Sequence, residues 1–223
     1  MKTKYFNIFI IATIGRLSLK EAINSALNQK HDTLIVVVFD DEDIVKMVDH
    51  SDVVYLKTDQ HVWGEGARQY GIDWCIANNI KSTYLSYLDD DDIILPSYTE
   101  SLEKFNTWDI IIHSMKIFEN GRIVPDQGYC TNTNLSEAKR IQIATQPLVM
   151  NYVGLTYSLK WEKAKHIKWS SVVPPDFNYI NNACKSGLSH FKTGVVSYHQ
   201  LTRGLTGSHT NVKYGRHDSS LNK

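Results

Sequence analysis

Four consecutive aspartates, Asp89 to Asp92, are the residues of this 223-residue chain best suited to chemistry. They directly follow Tyr84–Leu88, a segment with the length and aromatic content of a buried strand. Crowded like charges repel one another, so the run needs a compensating positive charge. Carboxylate oxygens are hard ligands for Mg²⁺ or Mn²⁺, and a cation held by one or two of them keeps positions open for the phosphates of a ligand. The alternative is a solvated acidic turn that caps a helix beginning near Pro96.

The elements that must position these aspartates alternate between strand and helix through the first half of the chain. Four strands are predicted, at Tyr5–Ile11, Leu34–Phe39, Val53–Leu56 and Tyr84–Leu88. Apolar residues at helical spacing predict one helix over 19–27, with Ser18 and Glu21 as a capping box, and another over 67–78. This βαβ alternation predicts a largely parallel sheet, covered on both faces, that binds its ligand at the carboxyl ends of the strands.

The second half of the chain has a mixed pattern. Strand-like segments over 110–118 lead to Asn120-Gly121, a strong hairpin signal that returns the chain into 122–124. The further predicted elements are a helix over 137–143, a strand over 152–158, helices over 161–166 and 176–186, and a strand over 195–199. We predict one α/β domain over 1–205, with halves 1–105 and 106–205, followed by a flexible polar tail over 206–223 that could order over a bound ligand.

Composition excludes several classes of protein. Lys plus Arg and Asp plus Glu both number 24, so no global field attracts nucleic acid or anionic lipid, and nucleic acid is not an expected partner. The three cysteines Cys75, Cys130 and Cys184 lack metal-ligand spacing and are interpreted as reduced thiols. The first apolar run ends at Ile14, too short for a membrane span. We therefore expect a cytoplasmic protein without a transmembrane segment.

Four blocks of the first half resemble glycosyltransferase family 2 of the GT-A fold. They are Ala12–Arg16 at the end of the first strand, Ile35–Asp41, Gly66–Ile72, and Tyr87–Asp92 with Pro96. Their order and spacing match the family over roughly residues 5 to 105. Pro174–Phe177 and the segment Val196–His199 with Thr206–Ser208 are similar to later blocks of the family. The resemblance implies a Rossmann-like, mostly parallel central sheet flanked by helices, with a nucleotide-binding first half and an acceptor-binding mixed second half that contains the hairpin.

By this resemblance, the aspartate run serves the donor and a metal. Asp89 is expected to accept hydrogen bonds from a ribose, and Asp91 to ligate the Mn²⁺ or Mg²⁺ that bridges the phosphates. Asp90 is assigned to the nucleotide-sugar site, as a residue behind the ligands or as an exposed acid. Asp92 is expected to cap the helix that follows. His199 is the histidine expected to reach the metal or the diphosphate, with a purely structural role as the alternative.

The base and phosphate pocket is expected to involve four further residues. Asp40, at the end of the second strand, would accept the imide N–H of uracil, which favours a UDP-sugar as donor. Thr13 and Arg16 on the first loop, with Arg68 on the helix after the third strand, would complete this pocket, because guanidinium groups suit flat, multidentate recognition. The alternative for Arg68 alone is a surface ion pair.

Asp176 is the expected general base. Inversion at an anomeric carbon needs a carboxylate on the acceptor side, and Asp176 lies in the block Pro174–Phe177. Pro175 stands where the family usually has an acidic residue. The alternative for Asp176 is an N-cap of the helix that follows, a position that aspartate fills well.

The sequence therefore predicts a metal-dependent, inverting glycosyltransferase that moves a sugar from a nucleotide diphosphate sugar to a hydroxyl acceptor such as a glycan. A nucleotidyltransferase would need a glycine-rich basic loop after the first strand, where only Gly15-Arg16 is present. An inactive sugar-nucleotide-binding module is a further alternative, supported by Pro175. A DNA-modifying transferase would need a basic groove. Four aromatic residues are candidates either for sugar stacking or for the core: Tyr152, Tyr157, Trp161 and Trp169.

Overall fold

The computed structural model describes residues 4–40, 42–59, 62–117, 123–124, 134–149, 154–172, 174–200, 212–213 and 216–217. The strands are β1 Lys4–Thr13, β2 Thr33–Asp40, β3 Val53–Thr58, β4 Lys81–Tyr87, β5 Asp92–Ile94, β6 Ile110–Ile117, β7 Ile123–Val124, β8 Tyr157–Lys160, β9 His190–Gln200, β10 Val212–Lys213 and β11 Arg216–His217. The helices are α1 Leu19–Leu27, α2 Trp63–Ala77, α3 Ser97–Lys104, α4 Glu137–Ala144, α5 Trp161–Ala164 and α6 Pro175–Lys185. Strands β1 to β9 form one mixed sheet, and β10 pairs with β11.

The first half of the sheet is parallel, as predicted. Its strands lie in the order β3-β2-β1-β4, and each adjacent pair runs in the same direction. Strand β2 is buried at every position, as expected for a strand with helices over both faces. The order reverses at β1, because β2 lies on one side of it and β4 on the other. In open α/β sheets such a switch point creates a crevice at the carboxyl ends of the strands.

The second half extends the sheet with mixed pairing. Strand β8 runs antiparallel to both β4 and β6, β9 runs parallel to β6, and β5 forms the antiparallel edge beside β9. Strand β7 pairs antiparallel with β6, which confirms the two arms of the predicted hairpin. The Asn120-Gly121 turn lies outside the described residues, as do residues 152–153 of the strand that was predicted over 152–158.

Helices cover both faces of the sheet. Along β1, Ile8 and Ile10 point to the face covered by α2, α5 and α6, whereas Phe9 and Ile11 point to the face covered by α1 and α3. Tyr157 and Trp161 are buried on the first of these faces, which confirms their interpretation as core residues. The result is a three-layer domain in which the sheet separates two apolar clusters.

Gly71 allows α2 to lie close to the sheet. A Cβ at this position would lie 2.9 Å from Ile10 Cγ2 and 3.2 Å from Val38 Cγ2, closer than side-chain carbons pack. The helix can therefore approach β1 and β2 only because residue 71 has no side chain. This contact fixes the height of α2 above the sheet, and with it the position of Arg68 one turn earlier.

Two local predictions need correction or comment. The capping box is wrong, because Ser18 has helical backbone angles (φ −61°, ψ −21°) and its side chain makes no capping hydrogen bond. Instead, the Ser18 carbonyl accepts the N–H of Glu21 at 2.9 Å. The tail 206–223 lies outside the described residues apart from β10 and β11, so its predicted flexibility stays a prediction. No helix in the described segments combines the length and apolarity of a membrane span.

Candidate active site

A cleft of about 410 Å³ opens at the carboxyl ends of β1, β2 and β4. It is lined by Ala12, Thr13, Ile14, Arg16, Asp40, Trp63, Gly64, Glu65, Arg68, Asp89, Asp90, Asp91, Pro175 and Asp176. Eight of the nine site residues predicted from the sequence are in this lining, and His199 is the exception. The strand ends bring the first-half residues together, while Asp176 arrives from the start of α6.

Asp90 is the buried aspartate that fixes the run to the end of β1. The Thr13 hydroxyl donates to Asp90 Oδ2 at 2.6 Å, and Arg16 Nη1 donates to Asp90 Oδ1. The hydroxyl of Thr13 in turn accepts the N–H of Gly15 at 2.8 Å. Burial raises the pKa of Asp90, and the charge of Arg16 and the Thr13 hydrogen bond partly offset that rise. At 2% exposure Asp90 is a structural anchor beneath the cleft rather than an exposed acid.

The other three aspartates of the run form a candidate cation site. One carboxylate oxygen from each of Asp89, Asp91 and Asp92 lies within 4.8 Å of the others. Three hard oxygen donors at this separation suit Mg²⁺ or Mn²⁺. Arg16 Nη1 lies 3.6 Å from Asp91 Oδ2, so part of the negative charge is already balanced.

Asp92 is not a helix cap, and that prediction was wrong. It is the first residue of β5 and pairs with Gln200 of β9, while α3 begins five residues later with Pro96 as its N-cap. The pairing with β9 also brings Tyr198 under the aspartate run, where its hydroxyl accepts the Asp89 N–H at 3.4 Å. Burial, together with the charges of Asp92 and Asp89, raises the pKa of the Tyr198 phenol. Tyr198 therefore stays neutral and able to donate a hydrogen bond beside these carboxylates.

Arg68 connects the aspartate run to α6. Its Nη2 donates to Asp89 Oδ1 at 2.7 Å, and its Nη1 lies 3.6 Å from Asp176 Oδ1. The guanidinium also lies over the ring of Trp169, 5.2 Å from its centroid. Burial alone would lower the pKa of Arg68, but the charges of Asp89 and Asp176 outweigh it and hold the pKa above its usual value. Arg68 is only 8% exposed, so the alternative of a surface ion pair does not describe it.

Asp176 lies in the first turn of α6 and faces the cleft. The N-cap of α6 is Pro174, so Asp176 does not take the capping role that was its alternative. Its side chain is 35% exposed at the cleft surface. Burial raises the pKa of Asp176 to about 6; the Arg68 charge opposes this rise, and the charges of Asp89 and Glu65 add to it. A carboxylate with that pKa is ionised near neutral pH and still basic enough to accept a proton.

Asp40 lies at the other end of the cleft, where β2 ends. It is 4% exposed, and its Oδ1 accepts the N–H of Val62 at 2.8 Å and the hydroxyl of Thr58 at 3.4 Å. These bonds fix the carboxylate plane relative to the first turn of α2. A carboxylate has about four acceptor positions, so Asp40 retains the capacity to accept a further N–H.

Trp63 is a cleft residue that the sequence analysis missed. It is the first residue of α2, 64% of it is exposed, and its φ of 58° lies in the left-handed region that bulky residues rarely adopt. Such backbone strain is typical of functional sites. The sequence signal that could have indicated an exposed ring is the tryptophan in Trp63-Gly64-Glu65-Gly66, because the two glycines have no side chains to cover it.

His199 is on β9, paired with Ile93 of β5 and Lys116 of β6, and is not part of the cleft lining or of the aspartate cluster. Burial and the neighbouring Lys116 charge lower its pKa. Its predicted contact with a metal or diphosphate stays a prediction.

The fold and the cleft define an α/β protein with a candidate ligand site at the carboxyl ends of parallel strands, and comparison with known proteins identifies its family. The family model for glycosyl transferase family 2 matches residues 8–144, so the chain belongs to this family. The predicted family and the predicted GT-A fold are thus both confirmed. No curated protein sequence matches the chain.

Solved structures of TarS from S. aureus share the fold. TarS 1-349 in complex with UDP-GlcNAc has a TM-score of 0.65 at 13% identity, covering 89% of this chain and 59% of that one. The complex with UDP has a TM-score of 0.61 at 14% identity, covering 88% of this chain and 60% of that one. A longer TarS structure has a TM-score of 0.64 at 14% identity, again over 88% of this chain but only 37% of its own. The chain thus corresponds to part of each TarS structure.

Proposed function

We propose that this protein is a metal-dependent, inverting glycosyltransferase that moves a sugar from a UDP-sugar to a hydroxyl acceptor. The observation that carries the proposal is the convergence of eight sequence-predicted residues on one cleft. They come from three strand ends, one helix and the start of a second helix, which are separated by up to 163 positions between Thr13 and Asp176. Family membership supports the reaction class.

The donor half of the cleft suits a uridine nucleotide. Asp40 presents a buried, oriented carboxylate that can accept the imide N–H of uracil. Arg16 and Arg68 face the aspartate run and can contact the diphosphate. The TarS structures that share this fold include complexes with UDP and UDP-GlcNAc, which favours the same nucleotide here.

The carboxylates of Asp89, Asp91 and Asp92 are the residues that would hold Mn²⁺ or Mg²⁺. A divalent cation there supplies positive charge to a diphosphate leaving group. The three carboxylates fit the cation, since their hard oxygens lie close together. Asp90, in the same run, is not part of this cluster, and its two oxygens are bonded instead to Thr13 and Arg16.

We assign the proton transfer to Asp176, which lines the cleft from the first turn of α6. It would take the proton of the acceptor hydroxyl while that oxygen forms a bond to the anomeric carbon. The bond from that carbon to the diphosphate oxygen breaks, and its electron pair leaves with the diphosphate. Attack opposite to the leaving group inverts the anomeric centre. Arg68 would hold Asp176 in its ionised form and in contact with the donor side, since it also binds Asp89.

Calorimetric titration of UDP, GDP and CDP tests the donor half of the proposal. We expect UDP to bind in the presence of Mn²⁺ more tightly than the other two, and EDTA to weaken that binding. Subsequent incubation with a panel of UDP-sugars would identify the transferred sugar by release of UDP. Binding of no nucleotide, with or without Mn²⁺, would refute the proposal and leave only the fold. Tight UDP binding without any transfer to water or acceptor would favour an inactive sugar-nucleotide-binding module.

A further inference from the structure

A second groove of about 410 Å³ lies beside the cleft. One wall is a face of α2 with Trp63, Gly66, Tyr70 and Asp73, and the other is the loop 169–171 before α6. We call it the α2 groove. Its volume falls within the range of small-molecule sites, about 300 to 1,000 Å³.

The helix wall has a regular arrangement. Residues 63, 66, 70 and 73 are three or four positions apart, so they follow one face of α2. At position 66 an added Cβ would lie 2.6 Å from Val62 Cβ, so only glycine fits there. Val62 packs against Gly66 and also lines the groove, and Trp63 and Tyr70 are about 10 Å apart along the helix axis.

Exposed aromatic surface is the chemical signature of the α2 groove. Trp63 is 64% exposed and Tyr70 is 45% exposed, whereas Trp169 on the opposite wall is 8% exposed. The ring of Trp169 lies under Arg68, its indole N–H donates to the Tyr87 hydroxyl at 3.2 Å, and its backbone N–H donates to Gln69 Oε1 at 3.1 Å. Rigid aromatic faces beside polar groups suit a ligand with one apolar face and hydroxyls at its edge. A pyranose ring has this character.

The α2 groove is continuous with the cleft. Trp63 and Glu65 line both, so the two spaces meet at the first turn of α2. Residues 169–171 of the opposite wall are only a few positions before Pro175 and Asp176, which line the cleft. A ligand in the groove therefore has one end beside the carboxylate proposed to take the acceptor proton.

The charge of the α2 groove favours a neutral ligand. Its charged lining residues are Glu65 and Asp73, and no lysine or arginine is among the described residues that line it. Lys168 at the rim is paired with Asp73 at 2.9 Å. An acceptor that carries phosphate groups would meet the carboxylate of Glu65 in this lining, which repels it.

We infer that the α2 groove binds the acceptor and that the acceptor is a neutral saccharide whose rings stack on Trp63 and Tyr70. This inference rests on the proposed function, since it gives the substrate class of the same transferase site. Tyr70 is the decisive residue, because it lines the groove and not the cleft.

Saturation-transfer NMR on the full chain tests the inference. The probes are cellobiose, maltose and N,N′-diacetylchitobiose, with glucose 6-phosphate as the anionic comparison, each titrated with and without UDP and Mn²⁺. We expect at least one neutral disaccharide to bind, and Tyr70→Ala to weaken that binding about five- to tenfold through lost stacking. Ile76→Ala is the matched control, because Ile76 is also partly exposed on α2 (42%) and lies outside the groove.

Three results would overturn the inference: no neutral disaccharide binds, Tyr70→Ala and Ile76→Ala bind saccharide equally, or glucose 6-phosphate binds as tightly through Tyr70. UDP titration of the same samples separates this inference from the proposed function. If UDP binds normally to both variants while saccharide binding is absent, the inference alone fails. If UDP does not bind the unmodified protein, the proposed function fails. The comparison with Tyr70→Ala then still shows whether the α2 groove binds a saccharide.

Discussion

The two halves of the sheet place functional side chains in different ways. In the first half, Thr13, Asp40 and the aspartate run are at or just beyond the carboxyl ends of β1, β2 and β4, which are neighbours in a parallel sheet. Their convergence follows from strand order alone. In the second half, Asp176 comes from a helix and reaches the cleft because α6 packs on the same face as α2. The proposed donor site is thus built by strand order, and the position of the proposed base by tertiary packing.

Replacing Asp176 by asparagine gives the largest effect expected from this comparison. Asn keeps the shape of the side chain but cannot accept the acceptor proton, so we expect transfer to fall about 10² to 10⁴-fold. UDP affinity should change less than twofold, because the donor contacts belong to the other half. UDP release in the presence of acceptor measures the first quantity, and calorimetry the second.

The control for Asp176→Asn is Asp49→Asn, an exposed aspartate away from the cleft. Because burial raises the pKa of Asp176 to about 6, the transfer rate of the unmodified enzyme should fall as the pH drops below about 6, where the base becomes protonated. Transfer that survives Asp176→Asn within tenfold would place the base elsewhere.

Replacing Asp91 by alanine should affect metal-dependent nucleotide binding in the first half of the sheet and leave the position of Asp176 in the second half unchanged. Loss of one of three oxygen donors should weaken UDP binding in Mn²⁺ at least about tenfold, while affinity in EDTA stays that of the unmodified protein. Thermal stability should not fall, since the change removes one of several repelling carboxylates. Calorimetry in Mn²⁺ and in EDTA makes the comparison, with Asp49→Ala as control. Equal Mn²⁺ dependence in both variants would count against a metal role for Asp91.

Gly71→Val tests the contact that sets the height of α2 in the first half. The added methyl groups would meet Ile10 and Val38, so we expect a loss of about 1 to 3 kcal/mol in the free energy of unfolding. UDP binding should weaken as well, because Arg68 moves with α2. Urea denaturation measures the loss. Gly154→Ala is the control, since no atom of the described residues lies within 4 Å of an added Cβ there. Similar losses in both variants would contradict the close approach of α2.

His113 on β6, in the second half of the sheet, is expected to have a smaller effect, on the pH dependence of stability. It is fully buried, its Nδ1 lies 2.7 Å from Ser197 Oγ, and burial lowers its pKa to about 3. The unfolded chain has a histidine pKa near 6.5 and therefore binds this proton more readily than the folded state. We therefore expect the contribution of His113 to the free energy of unfolding to be complete above about pH 6.5 and to fall by up to about 1.4 kcal/mol per pH unit below it.

The variant His113→Asn should show a shallower loss of stability than the unmodified protein between about pH 6.5 and pH 4.5. Denaturant unfolding at several pH values measures the two slopes. His166→Asn, at an exposed histidine, should keep the slope of the unmodified protein. Identical slopes for all three proteins would mean that His113 is not buried in its neutral form.

Local patterns predicted the first half well because its signals are local. Apolar strands and the residues directly after them are contiguous in sequence, so Asp40 and Asp89 could be assigned to strand ends before any packing was known. Asp92 was misassigned because its partner, Gln200 in β9, is 108 positions away. Trp63 was not predicted to line the cleft, because a tryptophan is as often a core residue as an exposed one. Its exposure is a property of the folded chain.

The sequence by itself determined the parallel first half, the family and the carboxylates at the strand ends, since strand periodicity and adjacent residue types are carried by short segments. Only the tertiary structure decided which aspartates cluster as a candidate cation site, that Asp90 bonds to Thr13 and Arg16, and that Arg68 joins Asp89 to Asp176. It also decided that Trp63 and Tyr70 stay exposed on either side of Gly66. These relations join residues from different elements, and their distances depend on how helices pack on the sheet. The physical reason is that side-chain contacts between elements are set by packing in three dimensions, which local sequence does not specify.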